Sequence, residues 1–134
     1  MPRRWKSCAL EVPLVMAERI SGVRSALFTP GTEAARLRKA VTAGADVCIF
    51  DLEDSVPAAR VVEARKLVAE AIDEVSGRGP IWVRVHDPGS NEMAADLAAL
   101  PLAKIDGIML PKARHEDDVS ACHSAIVAAK GPAR

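Results

Sequence analysis

At 134 residues, with 49% hydrophobic and 27% charged side chains, the chain is the size of one globular domain and can form a core, which excludes a disordered tail. Its 18 basic and 18 acidic side chains cancel and are mixed along the whole length, so charge favours neither nucleic acid nor an anionic membrane as a partner. No window approaches the roughly 18 consecutive apolar residues of a membrane span. The remaining function classes are small-molecule chemistry and contact with another protein.

The beginning of the chain predicts a loose N-terminal extension over residues 1–21. Residues 1–6 are basic, but Glu11 and Pro13 interrupt the adjoining apolar stretch, so the segment matches neither a secretion signal nor an acid-free transit peptide. We therefore place the domain at residues 22–134.

The three cysteines, Cys8, Cys48 and Cys122, are odd in number, far apart and outside any zinc-binding spacing. Such cysteine usage is typical of a reducing compartment, so we expect a cytoplasmic protein without a zinc site. Cys48 is predicted to lie inside a strand as a small apolar residue.

The first strand-and-helix unit begins at residues 23–28, a short mixed run that predicts a strand. A Thr-Pro-Gly turn at residues 29–31 closes it, because proline fixes φ and glycine permits a positive φ. A helix is predicted over residues 34–43, with Gly44 as its C-terminal cap.

The second unit contains the apolar run at residues 47–50, which lacks polar alternation. Strands buried on both faces have this pattern, and they are typically parallel strands. Three carboxylates follow within residues 51–54, where the strand ends. Pro57 suits the first turn of a helix that reaches about Val75.

The third and fourth units repeat the pattern. The β-branched run at residues 81–85 predicts a strand, and a turn-rich loop leads from it to a helix around residues 92–100. Residues 106–110 predict the fourth strand. The last helix, at about residues 116–129, has a predicted buried stripe of Val119, Cys122, Ile126 and Val127.

Four strand-and-helix units of about 22 to 35 residues predict a parallel sheet with right-handed crossovers. An open doubly wound sheet and part of a (β/α) barrel both satisfy this pattern. In either case the residues that follow each strand meet at one edge, the mouth of the site. We place there Thr29, Pro30, Gly31, Asp51, Glu53, Asp54, Arg84, His86, Asp87, Pro111 and Lys112.

Four blocks of sequence resemble a known family. They are RSALFTPG at residues 24–31, GADV at 44–47 running into DLEDSV at 51–56, VRV at 83–85 and DGIMLPK at 106–112. In this order and spacing they resemble the citrate lyase beta subunit group of the HpcH/HpaI aldolase and citrate lyase superfamily, which includes malyl-CoA and citramalyl-CoA lyases.

The resemblance implies a carbon–carbon lyase built on a TIM (β/α)8 barrel. Such an enzyme acts on a 3-hydroxyacyl-CoA thioester or hydroxy acid through an enolate stabilised by Mg²⁺, and its relatives tend to form homo-oligomers. The chain would hold the first four barrel units and stop before strand 5. The glutamate and aspartate that bind Mg²⁺ in the family would lie beyond Arg134, leaving the isolated chain inactive.

The resemblance also assigns residues. Arg84 matches the arginine that binds the substrate carboxylate or carbonyl and stabilises the enolate, and a planar guanidinium suits that task. Arg24 matches a basic residue that lies near the phosphates of the thioester carrier in relatives, and Lys112 matches a strand-end lysine at the mouth. Pro30 and Gly31 are expected to bind the substrate. The alternative for Arg84 is a structural ion pair at a strand end.

The acidic block, Asp51, Glu53 and Asp54, matches residues around magnesium and its waters rather than direct ligands. The alternative is charge and capping at a helix N-terminus. His86 departs from the family, whose members generally carry asparagine there. His115 and His123 are predicted to be surface residues.

Three hypotheses about function remain open from sequence alone. The chain is the N-terminal part of a lyase and inactive by itself, or a half-barrel that assembles as a homo-oligomer. The third is a non-catalytic α/β module that binds an acyl-CoA or a protein.

Overall fold

The computed structural model describes residues 22–131, so the predicted N-terminal extension, residues 1–21, and the last three residues lie outside the described part. The elements alternate in chain order, and two 3-10 turns lie at Ala58–Arg60 and Leu102–Lys104. The strands and helices are β1 (Ala26–Pro30), α1 (Ala34–Ala40), β2 (Val47–Asp51), α2 (Val61–Val75), β3 (Ile81–Arg84), α3 (Glu92–Ala99), β4 (Gly107–Met109) and α4 (Glu116–Lys130).

The strands form one parallel sheet in the order β1-β2-β3-β4, as the alternating pattern predicts. A doubly wound sheet reverses its strand order at a switch point, and no reversal occurs among the four described strands. Every residue of β2 is buried, in agreement with its continuous apolar run. Cys48 is among them, which confirms its predicted position inside a strand.

The main core lies between one face of the sheet and the helices. Alternate side chains of β2 and β3, such as Phe50 and Val83, pack there against Leu37 of α1 and Val68 of α2. Val47 and Ile49 are also buried, but they point to the other face and do not belong to this cluster. Asp51 continues their alternation, so it ends the strand on the face opposite to the main core.

The first strand is shifted from its predicted bounds, residues 23–28. The Asp46 carboxylate accepts hydrogen bonds from the backbone N–H groups of Arg24 and Ser25, at 2.8 and 3.0 Å. These bonds to a side chain hold the segment that precedes β1. The strand then continues through Pro30, which pairs in register with Asp51. Proline is tolerated because β1 is an edge strand of the described sheet.

The predicted buried stripe of α4 is wrong in part. Cys122 is buried, but Val119 and Val127 are more than half exposed. The helix packs against α3 and the second 3-10 turn, and an open groove separates part of it from β4. Helical periodicity predicts an apolar face, but how much of that face is buried depends on its neighbours. Within residues 22–131, no helix is long and apolar enough to cross a membrane.

Candidate functional site

Charged side chains from β2, β3 and the segment after β4 meet at the carboxyl ends of the strands. Arg84 ends β3 beside Asp51, which ends β2, and the two are register partners in the sheet. Lys112 follows β4 and reaches Glu53 in the loop after β2. The structure therefore brings together most of the residues predicted at the mouth.

Asp51 and Arg84 form a two-pronged ion pair. The Arg84 Nε and Nη2 groups donate to the two Asp51 carboxylate oxygens at 2.8 and 2.7 Å. Asp51 is almost completely buried, and 18% of the Arg84 side chain is exposed. This is the structural ion pair considered as the alternative for Arg84, and it also fixes the plane of the guanidinium.

The Asp51 carboxylate accepts five hydrogen bonds in all. Besides those from Arg84, they come from the backbone N–H groups of Glu53 and Ser55 and from the Ser55 hydroxyl. Burial by itself raises the pKa of Asp51, but hydrogen bonds from Arg84 and Ser55 and the Glu53 N–H outweigh it and hold that pKa at about 2. Asp51 is thus ionised at neutral pH, and its hydrogen bonds fold the loop back over the strand end.

The acidic block does not cap the following helix. Helix α2 begins at Val61, its N-terminal neighbour Arg60 makes no side-chain cap, and the acidic residue in its first turn is Glu63. The helix-capping alternative for the acidic block therefore does not describe the local structure, because Asp51 folds its own loop instead.

Arg84 also lies close to two groups other than Asp51. Its guanidinium carbon lies 4.8 Å from the centre of the Phe28 ring, a cation–π distance. Its Nη1 lies 3.7 Å from the Asp54 carboxylate, which is too long for a hydrogen bond. The hydrogen bonds to Asp51 have the largest effect on the pKa of Arg84 and raise it, although burial opposes the charge. Arg84 is therefore a charged hydrogen-bond donor at the mouth.

Glu53 is a second buried carboxylate with a different environment. Within residues 22–131, neither of its oxygens accepts an aligned hydrogen bond. The Lys112 Nζ lies 2.8 Å from Glu53 Oε1, as an ion pair, and 3.8 Å from Asp54. Glu53 contributes most to raising the pKa of Lys112, and Asp54 and Asp87 contribute less. Lys112 has φ 54°, a left-handed backbone value that is rare for a side chain of this kind.

Gly31 lets the loop after β1 approach the end of β2 closely. Its N–H donates to the Asp51 carbonyl oxygen at 2.8 Å. A Cβ atom at this position would lie 2.7 Å from that oxygen and 3.0 Å from Val68 Cγ2. Pro30 precedes it at the end of β1. The structure gives Gly31 a packing role at the mouth, where it was expected to bind the substrate.

Arg24 is not brought to the mouth. It precedes β1 and lies with Asp46, which precedes β2, at the opposite ends of the strands. Its Nε is 3.6 Å from the Asp46 carboxylate, and its side chain is 86% exposed. Arg24 is therefore an exposed cation at the amino ends of the strands, away from Arg84 and Lys112, and its match to a residue near the phosphates of the thioester carrier stays a prediction.

A buried polar chain beside the mouth was missed by the sequence reasoning, apart from His86 itself. Asp96 of α3 is completely buried and contacts both His86 and Arg65 of α2. The signal that could have found it was a carboxylate at helical spacing between Met93, Leu97 and Leu100, because a charge in an apolar stripe needs a buried partner. His115 and His123 are exposed, as predicted.

The described residues do not offer a direct magnesium site. No group of three or more potential ligand side chains among residues 22–131 could hold a metal ion. Both Asp51 carboxylate oxygens accept hydrogen bonds from protein donors, and the Lys112 ammonium group forms an ion pair with Glu53.

The Asp51–Arg84 pair lies at the carboxyl ends of a parallel sheet, which is where α/β proteins of this kind place their active sites. The family HpcH/HpaI aldolase/citrate lyase matches residues 24–134, and the chain belongs to this family.

Two curated relatives differ in the reaction that their names describe. The chain is 36% identical over 107 residues to a (3S)-malyl-CoA thioesterase of Cereibacter sphaeroides, covering 79% of this chain and 38% of that protein. It is 39% identical over 90 residues to citrate lyase subunit beta of Leuconostoc mesenteroides subsp. cremoris, covering 66% of this chain and 30% of the relative. The chain thus spans less than two fifths of the length of these relatives.

Solved structures from Mycobacterium tuberculosis are similar to the chain. The citrate lyase beta subunit complexed with oxaloacetate and magnesium matches with a TM-score of 0.59 and 34% identity, over 76% of this chain and 44% of that chain. CitE in complex with magnesium, acetoacetate and coenzyme A matches with a TM-score of 0.57 and 33% identity, over 72% of this chain and 35% of the other.

Proposed function

We propose that the mouth formed by β2, β3 and β4 binds the carboxylate or carbonyl end of a hydroxyacyl-CoA thioester or hydroxy acid, in a carbon–carbon lyase. The observation that carries this proposal is the Arg84 guanidinium, which Asp51 holds from behind while Nη1 has no close acceptor among residues 22–131. A guanidinium fixed in this way can hold a carboxylate or carbonyl oxygen without reorganising.

Arg84 would stabilise negative charge that develops on the substrate oxygen during cleavage of the carbon–carbon bond. Asp51 supports this task by fixing the plane of the guanidinium, and Phe28 covers one side of it. Lys112 adds a second cation, held by Glu53. The names of the relatives and the ligands of the similar structures support this substrate class.

Magnesium is part of two of the similar structures, and we propose that it also serves this protein. Residues 22–131 do not provide a set of direct ligands for it. Asp51, Glu53 and Asp54 are proposed to stand around its waters. We also propose that β1 to β4 are the first four strands of a (β/α)8 barrel and that the protein forms a homo-oligomer.

One observation favours a second candidate function. A site without direct metal ligands among residues 22–131 can bind an acyl thioester without cleaving it. The chain would then be a non-catalytic binding module. Binding of acyl-CoA without release of any cleavage product would select this candidate.

Calorimetry with acetoacetate and with oxaloacetate tests the proposed role of Arg84. Arg84→Lys keeps the charge but loses the planar pair of donors, so we expect affinity to fall by about tenfold or more. Arg38→Lys is the matched control, because Arg38 also makes a two-pronged pair, with Glu74, on the exposed surface. Equal affinity of the wild type and both variants would contradict the proposal.

A further inference from the structure

We propose that His86 is a proton-accepting catalytic residue, positioned by Asp96, and that the reaction it serves is hydrolysis of an acyl thioester. The inference rests on the proposed function for the substrate class and goes beyond it by adding thioester hydrolysis to the proposed carbon–carbon cleavage. It starts from the buried chain of Arg65, Asp96 and His86, in which each group fixes the next.

Asp96 is anchored from the helix side. Its Oδ1 accepts a hydrogen bond from the Arg65 Nε at 2.8 Å, and the carboxylate is completely buried. Arg65 also pairs with the Glu92 carboxylate and donates from Nη2 to the Glu92 backbone carbonyl at 3.3 Å. Arg65 thus compensates the charge of Asp96 and leaves Oδ2 to His86.

Both hydrogen bonds of Asp96 Oδ2 go to His86. The backbone N–H of His86 donates to this oxygen at 2.7 Å, and the ring Nδ1 lies 2.7 Å from the same atom. A carboxylate offers only acceptors, so Nδ1 must carry a proton in this contact. In the neutral imidazole the lone pair then lies on Nε2, as in an Asp–His pair that serves as a general base.

Nε2 of His86 is available to a ligand. No hydrogen bond or ion pair joins this atom to a protein group among residues 22–131, and it is not one of the buried unpaired atoms, so solvent reaches it. A histidine with a purely structural role usually satisfies both ring nitrogens when it packs against a protein. Here one nitrogen is fixed by a buried anion and the other is left open.

The position of His86 places it at the mouth. The ladder of β3 continues one residue past Arg84, since the Val85 N–H donates to the Met109 carbonyl at 3.3 Å, and His86 follows directly. The next residue, Asp87, is close enough to contribute to the raised pKa of Lys112, after the larger effects of Glu53 and Asp54. His86 therefore follows a strand end at the same edge of the sheet as Arg84 and Lys112.

Thioester hydrolysis needs only water and these side chains, and its atoms and charges balance. Nε2 takes a proton from water while the water oxygen forms a bond to the thioester carbonyl carbon, and the carbonyl electron pair moves to its oxygen, beside Arg84. When the carbonyl re-forms, the carbon–sulfur bond breaks, and the leaving sulfur takes the proton back from Nε2. The products are a carboxylic acid and a thiol, and His86 returns to its starting state.

The tautomer of His86 is tested by nuclear magnetic resonance on the full chain. Long-range ¹H–¹⁵N spectra of the neutral ring distinguish a proton on Nδ1 from one on Nε2. We expect the Nδ1 form in the wild type. A ring that carries its proton on Nε2, or exchanges equally between both forms, would overturn the proposal whatever the activity.

The reaction is tested with (3S)-malyl-CoA, following release of the coenzyme A thiol and of the carbon–carbon cleavage product in separate assays. His86→Asn keeps a donor toward Asp96 but cannot accept a proton, so thiol release should fall by about 100-fold or more. His123→Asn, an exposed histidine on α4, is the control and should not change it.

The pH profile separates chemistry from folding. The charged group in contact with the ring is Asp96 on α3, with Arg65 of α2 behind it, and Arg84 and Asp87 are the nearest charged residues in sequence on its own segment. Thiol release should decline on the acid side in the wild type and lose that dependence in His86→Asn. Asp96→Asn removes the charge that positions His86, so it should lower both the population of the Nδ1 tautomer and the rate of thiol release.

Each result either supports or overturns the role of His86. Thiol release that is equal in the wild type and His86→Asn, or absent from the wild type, overturns the hydrolytic role. The proposed function is judged separately, because acetoacetate binding and its loss in Arg84→Lys do not depend on His86. Binding without thiol release therefore rejects only the inference about His86.

Discussion

Two buried carboxylates, Asp51 at the end of β2 and Glu53 in the loop that follows, lie two residues apart, and their surroundings differ. Asp51 accepts five hydrogen bonds and shares Arg84 in a two-pronged pair. Glu53 accepts no aligned hydrogen bond from the described residues and is balanced by one ammonium group that is 57% exposed. The same residue chemistry therefore serves as a structural anchor at one position and as an adjustable group at the other.

The difference teaches that burial alone does not define a site residue. A carboxylate whose lone pairs are all directed to protein donors has little left for a ligand, whereas one held only by a flexible lysine can exchange that partner. Asp51 determines the shape of the mouth, and Glu53 with Lys112 is the part free to respond to a ligand.

Asp51→Asn should produce the largest loss of stability. The change leaves the Arg84 guanidinium without its counter-charge in a largely buried position, so we expect the free energy of unfolding to fall by about 3–5 kcal/mol. Urea unfolding followed by circular dichroism measures it. Glu53→Gln is the matched control and should cost far less; equal losses would remove the distinction between the two carboxylates.

Acid should weaken the Asp51 contribution in a defined range. The pKa of Asp51 is about 2 in the folded protein, below the value of about 3.9 in an unfolded chain, so its stabilisation is present above pH 4 and lost as the pH falls toward 2. We expect about 2–3 kcal/mol. The stability gap between the wild type and Asp51→Asn should narrow from pH 7 to pH 2.5, and a constant gap would contradict the assignment.

Gly31→Ala should destabilise the same strand end from the other side. The added methyl would meet the Asp51 carbonyl oxygen at 2.7 Å, a backbone atom that cannot move alone, and we expect a loss of about 1–3 kcal/mol. Gly79→Ala is the comparison, because a Cβ atom there would lie 3.8 Å from the nearest atom, the Val41 carbonyl oxygen, and its cost should be about 0.5 kcal/mol or less. Thermal unfolding of both variants measures the difference.

Glu53→Gln should have the smallest effect on stability and a clear effect on Lys112. Glu53 is the main cause of the raised pKa of Lys112, so its removal should lower that pKa toward the ordinary lysine value. The ¹³C shift of the Lys112 side chain against pH measures this change. An unaltered titration would show that the ion pair does not persist in solution.

Sequence reasoning predicted the order of strands and helices because each strand is a short apolar run and each helix has an apolar stripe. It failed where a neighbour decides the outcome. Val119 and Val127 have helical spacing but stay exposed, because α4 is covered on one side only. The bounds of β1 moved because a distant carboxylate, Asp46, takes the N–H groups of the residues before it.

Part of the site was also predictable. Residues after parallel strands meet at one edge, so Asp51, Arg84 and Lys112 could be placed together without coordinates. Their partners could not, because a hydrogen-bond partner distant in sequence depends on register and loop shape. Asp96 shows the limit most clearly, since nothing in its own segment names Arg65 and His86 as its contacts.

The sequence by itself determined an alternating α/β chain with a buried second strand, a charged mouth and membership of a family, because periodicity and local motifs are properties of neighbouring residues. Only the tertiary structure decided which carboxylate anchors Arg84, which one faces Lys112, why Arg24 is at the far end and how Asp96 orients His86. Those outcomes depend on distances between segments, and the fold sets such distances.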